Sequence, residues 1–487
     1  MHRIEAGSAA LLFDIAALRR LEQSAAAGLA PHTLMQRAGL AVSRLAMAIA
    51  PHSRTIWIAC GPGNNGGDGF EAAAQLRQRG FRPVVTHLGD ETRLPADAAA
   101  SLQRARAAGV EFADEPPAQP DLAIDALLGI GSTRAPEGLM ADWLRRMHAG
   151  PAPVLSVDTP SGLDADTGVL ALDFLPPSAQ AELRRYTLSL LALKPGLFTA
   201  QGRDAAGEVW FDDLGVAPAG EHPVARLPHA AAPAARRQSS HKGSYGDVAV
   251  IGGAPGMAGA ALLASSSALA SGAGRVFVAA LDASIAPLDL LQPELMFRRP
   301  ETLDLGKMSV VCGCGGGSDV AAILPRVLAE ARALVLDADA LNAIAADAGL
   351  QAQLEARGHA GHATVLTPHP LEAARLLGLG TTDIQADRLA AAARIAARFG
   401  AVVVLKGSGS VIAAVGEVPV INTSGNARLA TAGTGDVLAG MVGAALAGGD
   451  TPMRAACEAV WRHGALADRW PADVPLTAGA LARGLPS

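Results

Sequence analysis

Twice along this chain, short apolar runs of β type that end in Gly, Pro, Asp or His alternate with longer helical stretches, and few folds accept that alternation. In the first half TIWIAC (55–60), RPVVTHLG (82–89), DLAIDALLG (121–129) and PVLSVDTPSG (153–162) read as buried strands, and FEAAAQLRQRG (70–80) as a helix stopped by glycine. In the second half DVAVIGG, RVFVAAL, SVVCGCGGG, ALVLDADAL, ATVLTPHP and AVVVLKGSGS repeat the pattern. MAGAALLASSSALASG (257–272) and IQADRLAAAARIAARFG (384–400) are the helical stretches between them, and GSVIAAVGEVPVINTSG (409–425) reads as a short hairpin. Strands buried on both faces and joined through helices form parallel sheets, with ligand sites at the carboxyl ends of the strands. The expected fold class is therefore α/β, as two three-layer domains.

Length agrees, since 487 residues exceed one ordinary core. The Pro-, Ala- and Arg-rich stretch 217–240 has neither period and reads as a connection, which sets domains at 1–220 and 241–487 around a linker at 221–240. The two halves differ in motif order and are not repeats. Only 3% of residues are aromatic, so the cores must be packed from Ala, Val, Leu and Ile, with close backbone approach at some of the 54 glycines. A formal charge of −6 argues against a general nucleic-acid or membrane-surface binder. No apolar run reaches the length of a membrane span free of charge or glycine. The basic-then-apolar pattern of an export signal is broken by Asp14, Arg19 and Arg20, so a cytoplasmic protein is expected. Cys60, Cys312, Cys314 and Cys457 show no metal-ligand spacing, and Cys312 and Cys314 read as packed small residues.

Two stretches carry chemistry. GNARLATAGTGDVLAG (425–440) is almost free of large side chains, so bare N–H groups meet the positive end of a helix dipole at Thr434, Gly435 and Asp436. A carboxylate there would repel a bound phosphate unless it had work to do. Asp436 is therefore read as the base that takes a hydroxyl proton as a phosphoryl group approaches. GPGNNGGDGF (61–70) follows a strand and opens a helix, but lacks both the Lys-Ser/Thr of a Walker loop and the glycine spacing of a dinucleotide fingerprint. Asn65, Asp125 and Ser161 all present oxygen at strand ends, a set suited to a hard cation; on spacing alone a loop cap and a turn explain Asp125 and Ser161 equally well.

GPGNNGGDGF, DALLGIG, VDTPSGLD and LALKPGLF together resemble the NAD(P)H-hydrate epimerase family. That resemblance implies a Rossmann-like domain in which Asn64, Asn65, Gly66, Gly67 and Asp68, with Gly129, Ile130, Gly131, Ser132, Thr133, Arg134 and Ala135, hold a hydrated nicotinamide dinucleotide. It also implies a potassium ion on Asn65, Asp125 and Ser161, and Asp158 as the acid/base near the damaged ring. HKGSYGDVAVIGGAPGMAGAA, QPELM, DADAL, TPHPLEAARLL, KGSGS and ATAGTGDVLAG occur in that order and resemble the NAD(P)H-hydrate dehydratases of the ribokinase-like superfamily. Fused, the halves are similar to the bifunctional NAD(P)H-hydrate repair enzymes. By that resemblance Ala260, Gly317, His369 and Asp436 contact the hydrate, while Lys406, Gly407, Ser408, Gly409, Ser410 and Gly435 hold ADP or ATP with magnesium. CGCGGG stands where the family usually has Gly-Pro-Gly-Leu-Gly. Expected partners are hydrated NADH or NADPH and ADP, with no nucleic acid and no membrane, and a homo-oligomer such as a tetramer. The alternative is a small-molecule kinase of the ribokinase superfamily fused to a non-catalytic scaffold.

Overall fold

A computed structural model describes all residues except 132–134, 172–173, 175–183, 219, 231–236 and 485–487. Ser132, Thr133 and Arg134 of the expected dinucleotide loop thus lie outside the described residues. The chain divides into two compact units, Met1–Glu5 with Ala10–Ala225, and Ala6–Ala9 with Arg226–Ser487.

The first unit holds an eight-stranded sheet in the order His2–Arg3, Glu208–Asp212, Arg185–Leu190, Val154–Val157, Leu122–Ala126, Thr55–Cys60, Arg82–His87, Glu111–Phe112. Every pairing is parallel except that of His2–Arg3. The chain leaves Thr55–Cys60 toward one edge and returns to Leu122–Ala126 on its other side. A crevice must open at that reversal, because the flanking connections run to opposite faces. The core behind it is aliphatic, with Ile56, Ile58, Leu122, Ile124, Leu155 and Val157 buried.

The second unit is built on Met296–Phe297, Arg275–Ala280, Asp247–Gly252, Ser309–Cys312, Ala333–Leu336, Ala363–Leu366 and Val402–Leu405, which are neighbours in that order and all parallel. The expected hairpin follows as Val411–Ala413 and Val420–Ile421, paired antiparallel. Inside the stretch read as a connection, the strand Ala225–Leu227 pairs with Val420 through Arg226. The stretch 384–400 is not one helix. It breaks at Asp387, whose carboxylate accepts from Ala390 N (2.9 Å) and so starts Arg388–Phe399 afresh.

The scarcity of large side chains has a structural use here. Helix Thr434–Ala447 lies against helix Ala258–Ala270, and a Cβ at Gly440 would stand 2.0 Å from the Ala264 carbonyl oxygen. Only glycine permits that approach.

Candidate active sites

In the first unit, strand Thr55–Cys60 passes through Gly61–Gly63 into helix Asn64–Gln78, whose start has no side-chain cap. Its first N–H groups are free for an anion. Gly66 and Gly67 do not face that anion: a Cβ on Gly66 would lie 2.0 Å from the Gly61 oxygen, and one on Gly67 2.4 Å from the Met35 sulfur. They let the helix sit close to its neighbours. Asn64, Asn65 and Asp68 line a cavity of about 610 Å³, joined by Gly129, Ile130, Gly131 and Asp158; exposed Ala135 is not in its wall.

Asp158 follows strand Val154–Val157 with φ +68°, a left-handed conformation that costs a non-glycine residue energy. It is held from several sides. Its N–H donates to Leu188 O (2.8 Å), and Leu190 N donates to its Oδ1 (3.0 Å). The fully buried Lys194 ion-pairs with the same oxygen and donates to Ser189 Oγ (3.2 Å) and Leu190 O (3.0 Å). Burial pulls the ammonium below its ordinary range, against the charge of Asp158. Burial, then Asp158, push Glu22 up, and burial with Asp158 and Glu22 pushes Asp68 well up. A neutral Asp68 carboxyl can donate to a ligand oxygen where a carboxylate would repel it.

Asp125 lies at the end of strand Leu122–Ala126, wholly buried. Ser161 N (2.8 Å) donates to its Oδ2, and Ser161 Oγ (2.6 Å) and Leu127 N (3.2 Å) donate to its Oδ1. Burial raises this carboxyl while those neutral donors lower it. Among the described residues no cation pairs with it. Asn65 packs against Gly129, and its amide nitrogen is buried with no acceptor. Turning that amide over presents oxygen instead, so a buried carboxylate and two neutral oxygens suit a hard monovalent cation.

In the second unit the parallel strands deliver their loops to one edge. Asp436 is the third residue of helix Thr434–Ala447, which starts after Gly433 at φ +90°. Thr434 is buried, its hydroxyl donating to Leu429 O (2.8 Å) or Thr431 O (2.9 Å), whereas Gly435 and Asp436 are only half-buried. Burial, then the Asp337 charge, raise Asp436 to about 7, against a hydrogen bond from Cys314 and the charge of Lys406. A base poised near neutrality is what proton abstraction needs. Lys406 lies beside Gly435, its Nζ 3.3 Å from where a Cβ would be, and is bound to Asp337 Oδ1 (2.6 Å). Burial alone lowers this ammonium, but Asp337 and Glu372 more than offset it and the net shift is upward. Lys406 therefore stands beside Gly435 as one half of an ion pair.

The KGSGS loop turns at Gly407 (φ +140°) and Gly409 (φ +61°). Buried Arg388 props it from below, donating to Leu405 O (3.1 Å) and Lys406 O (3.2 Å). Gly407 and Ser408 are exposed, Gly409 is buried, and Ser410 Oγ donates to Gly407 O (3.2 Å). Ala260 and Gly317 both lie where the start of helix Ala258–Ala270 meets the GCGGG turn: a Cβ on Gly315 would touch Ala260 Cβ at 2.8 Å, and one on Gly317 would meet Met257 Cε at 2.9 Å. Despite the missing proline, this loop is tied down by Gly253 N to Cys314 O (3.0 Å), Ala254 N to Gly315 O (2.7 Å) and Gly317 N to Asp339 Oδ2 (2.9 Å). His369 caps helix Pro370–Leu377, its Nδ1 accepting from Leu371 N (3.1 Å) and Glu372 N (3.3 Å) while Nε2 pairs with Glu372 (3.1 Å).

Against known proteins, the family model described as NAD(P)H-hydrate dehydratase matches residues 248–484, and that described as YjeF-related protein N-terminus matches 31–196. The bifunctional NAD(P)H-hydrate repair enzyme of Escherichia coli (strain K12) is 37% identical over 93% of this chain and 88% of its own length. The chain belongs to the bifunctional NAD(P)H-hydrate repair enzyme family. The ADP-dependent (S)-NAD(P)H-hydrate dehydratase of Neisseria meningitidis serogroup B is 43% identical over 53% of this chain and 87% of its own length. A solved ADP/ATP-dependent NAD(P)H-hydrate dehydratase from Bacillus subtilis, co-crystallised with ATP/Mg2+, aligns at 31% identity and TM-score 0.43 over 52% of this chain and 91% of that one.

Within this family frame, several residues beside the expected ones help build the sites. Lys194 sits in LALKPGLF and is the cation on Asp158. Asp337 holds Lys406, and buried His463 meets Thr434 O through Nε2 (3.0 Å) at the start of the Asp436 helix. Cys314, read as packing, stands beside Asp337 and Asp436. Lys194 within LALKPGLF and Asp337 within DADAL carried a sequence signal; the places of Cys314 and His463 depend on distant elements meeting.

Proposed function

We propose that the first unit equilibrates the R and S forms of hydrated NADH or NADPH and that the second removes water from the S form at the expense of ADP or ATP. The observation that supports this most directly is Asp436, a carboxyl near neutrality at an uncapped helix start beside a lysine. In the second unit the terminal phosphoryl of the nucleotide would lie against the N–H groups of Gly435 and Asp436, that of Thr434 donating to Thr431 O (3.4 Å). Asp436 takes the proton from the ring hydroxyl as its oxygen bonds to phosphorus, and the nucleoside mono- or diphosphate leaves. The ring carbon–oxygen bond of the new phosphate ester then breaks, phosphate leaving with the electron pair as the ring nitrogen pushes, and a proton is lost from the adjacent ring carbon to restore the reduced cofactor. One preorganised donor of this kind is worth roughly 2.7 to 4 kcal/mol. Lys406 and the KGSGS loop, Lys406 to Ser410, hold the nucleotide, and Gly435 lets it approach the backbone. Magnesium would arrive with the nucleotide phosphates, which supply oxygen ligands; Asp337, the nearby acid, has its Oδ1 engaged with Lys406.

In the first unit Asp158 moves the proton of the hydrate hydroxyl, with Lys194 fixing its position and charge. The helix start at Asn64 and Asn65 receives the dinucleotide phosphates, and Gly129 to Gly131 form the facing wall. Asn65, Asp125 and Ser161 would hold potassium, which supplies positive charge beside an otherwise unpaired carboxylate. All four cysteines are free, as suits a reducing, cytoplasmic setting. Among the described residues no helix is long and apolar enough to cross a membrane. A homo-oligomer is part of the proposal, to be read from sedimentation.

The test supplies purified protein with a mixed R/S hydrate and ADP, then ATP, and follows recovery of reduced-cofactor absorbance. Complete recovery is expected. Recovery that stops at the S fraction would refute activity of the first unit, and none at all would refute the second.

A further inference from the structure

The GCGGG turn after strand Ser309–Cys312 brings a thiol into the dehydration site. Cys314 Sγ, a carboxylate oxygen of Asp337 and one of Asp436 all lie within 4.8 Å of one another. The thiol cannot drift, because its own carbonyl accepts from Gly253 N (3.0 Å) and the turn is set by Gly313 at φ +115° and Gly315 at φ +59°. Burial first, then the charges of Asp436 and Asp337, push the thiol well above its ordinary range, so it keeps its proton. It therefore has one hydrogen to give and two acids within reach. Asp337 Oδ1 already accepts from Lys406 Nζ (2.6 Å) and Thr367 Oγ1 (2.8 Å). Among the described residues Asp436 has no such donors, and it is the acceptor.

We propose that Cys314 is a positioning residue for dehydration: its S–H donates to Asp436 and holds that carboxylate in the orientation from which it takes the hydroxyl proton. The inference rests on Asp436 being the base. The charges facing Asp436 are Asp337, Asp339 and Lys406. Of the helices packed on its own, Ala258–Ala270 brings no titratable side chain, Pro452–Arg469 brings His463 to Thr434 O, and Ala478–Arg483 carries Arg483. Two carboxylates against one ammonium leave the anionic form of Asp436 disfavoured. A neutral donor that binds the anion works against that, which is why a thiol here does more than fill space.

The experiment compares pH profiles of dehydration kcat/KM for the full chain and for Cys314→Ala and Cys314→Ser. Without the donor the acid limb moves to higher pH, so Cys314→Ala should lose roughly fivefold at pH 6.5, as expected for one hydrogen bond to a charged group weakened by sulfur, and the loss should narrow toward pH 8.5. Cys314→Ser keeps an O–H donor and should restore the wild-type limb. A packing role alone would lower both variants equally at every pH, and that result overturns the proposal. So does an unshifted limb in a folded Cys314→Ala. Asp436→Asn separates the two levels: if it still dehydrates, the base assignment fails, whereas an inactive Asp436→Asn beside an unshifted Cys314→Ala removes only the role of the thiol.

Discussion

Replacing Asp436 by asparagine should stop dehydration and stabilise the protein at the same time. The side chain is held near 7 when folded, mainly by burial, against an ordinary value of 3.8. For an acid raised by folding, the charged form is penalised, and the penalty is complete above the folded value and absent below the unfolded one. Stability therefore rises as pH falls from about 7 toward 3.8. About three pH units at 1.36 kcal/mol each set a ceiling of about 4 kcal/mol, and partial exposure to water brings the expected gain to about 2 kcal/mol. Asparagine keeps the shape and removes the charge. In a unit of this size that gain raises the melting temperature by roughly 4 to 8 °C. The assay is thermal melting of the nucleotide-free full chain at pH 8 and pH 4, beside a dehydration assay in which the rate should fall roughly 10² to 10⁴-fold. A gain at pH 8 that vanishes at pH 4 is the expected signature. Equal melting at pH 8, or a gain that persists at pH 4, would refute the burial argument.

Removing the cation from the other site should hurt where the first change helps. Lys194→Met leaves Asp158 without its buried partner, so epimer exchange should be lost, dehydration retained, and urea stability lowered by up to about 3 kcal/mol. Retained exchange would count against the pair. Ser161→Ala removes the hydroxyl oxygen and its hydrogen bond to Asp125 Oδ1, while the backbone N–H to Oδ2 remains; epimer exchange should then need several-fold more potassium for half-maximal rate, and an unchanged potassium titration would sink the cation assignment. Gly440→Ala forces a methyl against the Ala264 carbonyl and should destabilise by roughly 1 to 3 kcal/mol in urea unfolding, with a matching drop in dehydration and unchanged epimer exchange.

The four strands read in the first half and the six in the second were legible because each is a buried run closed by a breaking residue, and a parallel sheet imposes that pattern locally; Arg185–Leu190 and Glu208–Asp212 were not read. The short strand Ala225–Leu227 was not, since three residues carry no period and their pairing with Val420 is decided by the hairpin, far along the chain. Asp387 was hidden for the opposite reason. It sits inside a convincing helical period, and only the hydrogen bond to Ala390 N shows that it ends one helix and begins another.

Single motifs named one wall of each site, while their electrostatics came from residues brought in by other strands. GTGD fixes where Asp436 stands, but the value near 7 comes from burial first and then from Asp337, which raises it, against Cys314 and Lys406, which lower it, and these three arrive from the ends of three different strands. VDTPSG likewise places Asp158, and a lysine 36 residues later supplies its charge partner. Even the glycines divide along this line. Gly66 and Gly67 look in sequence like part of a ligand cradle, yet their missing side chains are needed by Gly61 and Met35 behind them. Asn64, Asn65 and Asp68 line the cavity because the helix turns those three toward the crevice and the two glycines toward its back. A Gly-rich turn thus identifies a close approach, and the direction of that approach is decided by whichever element the fold packs behind it.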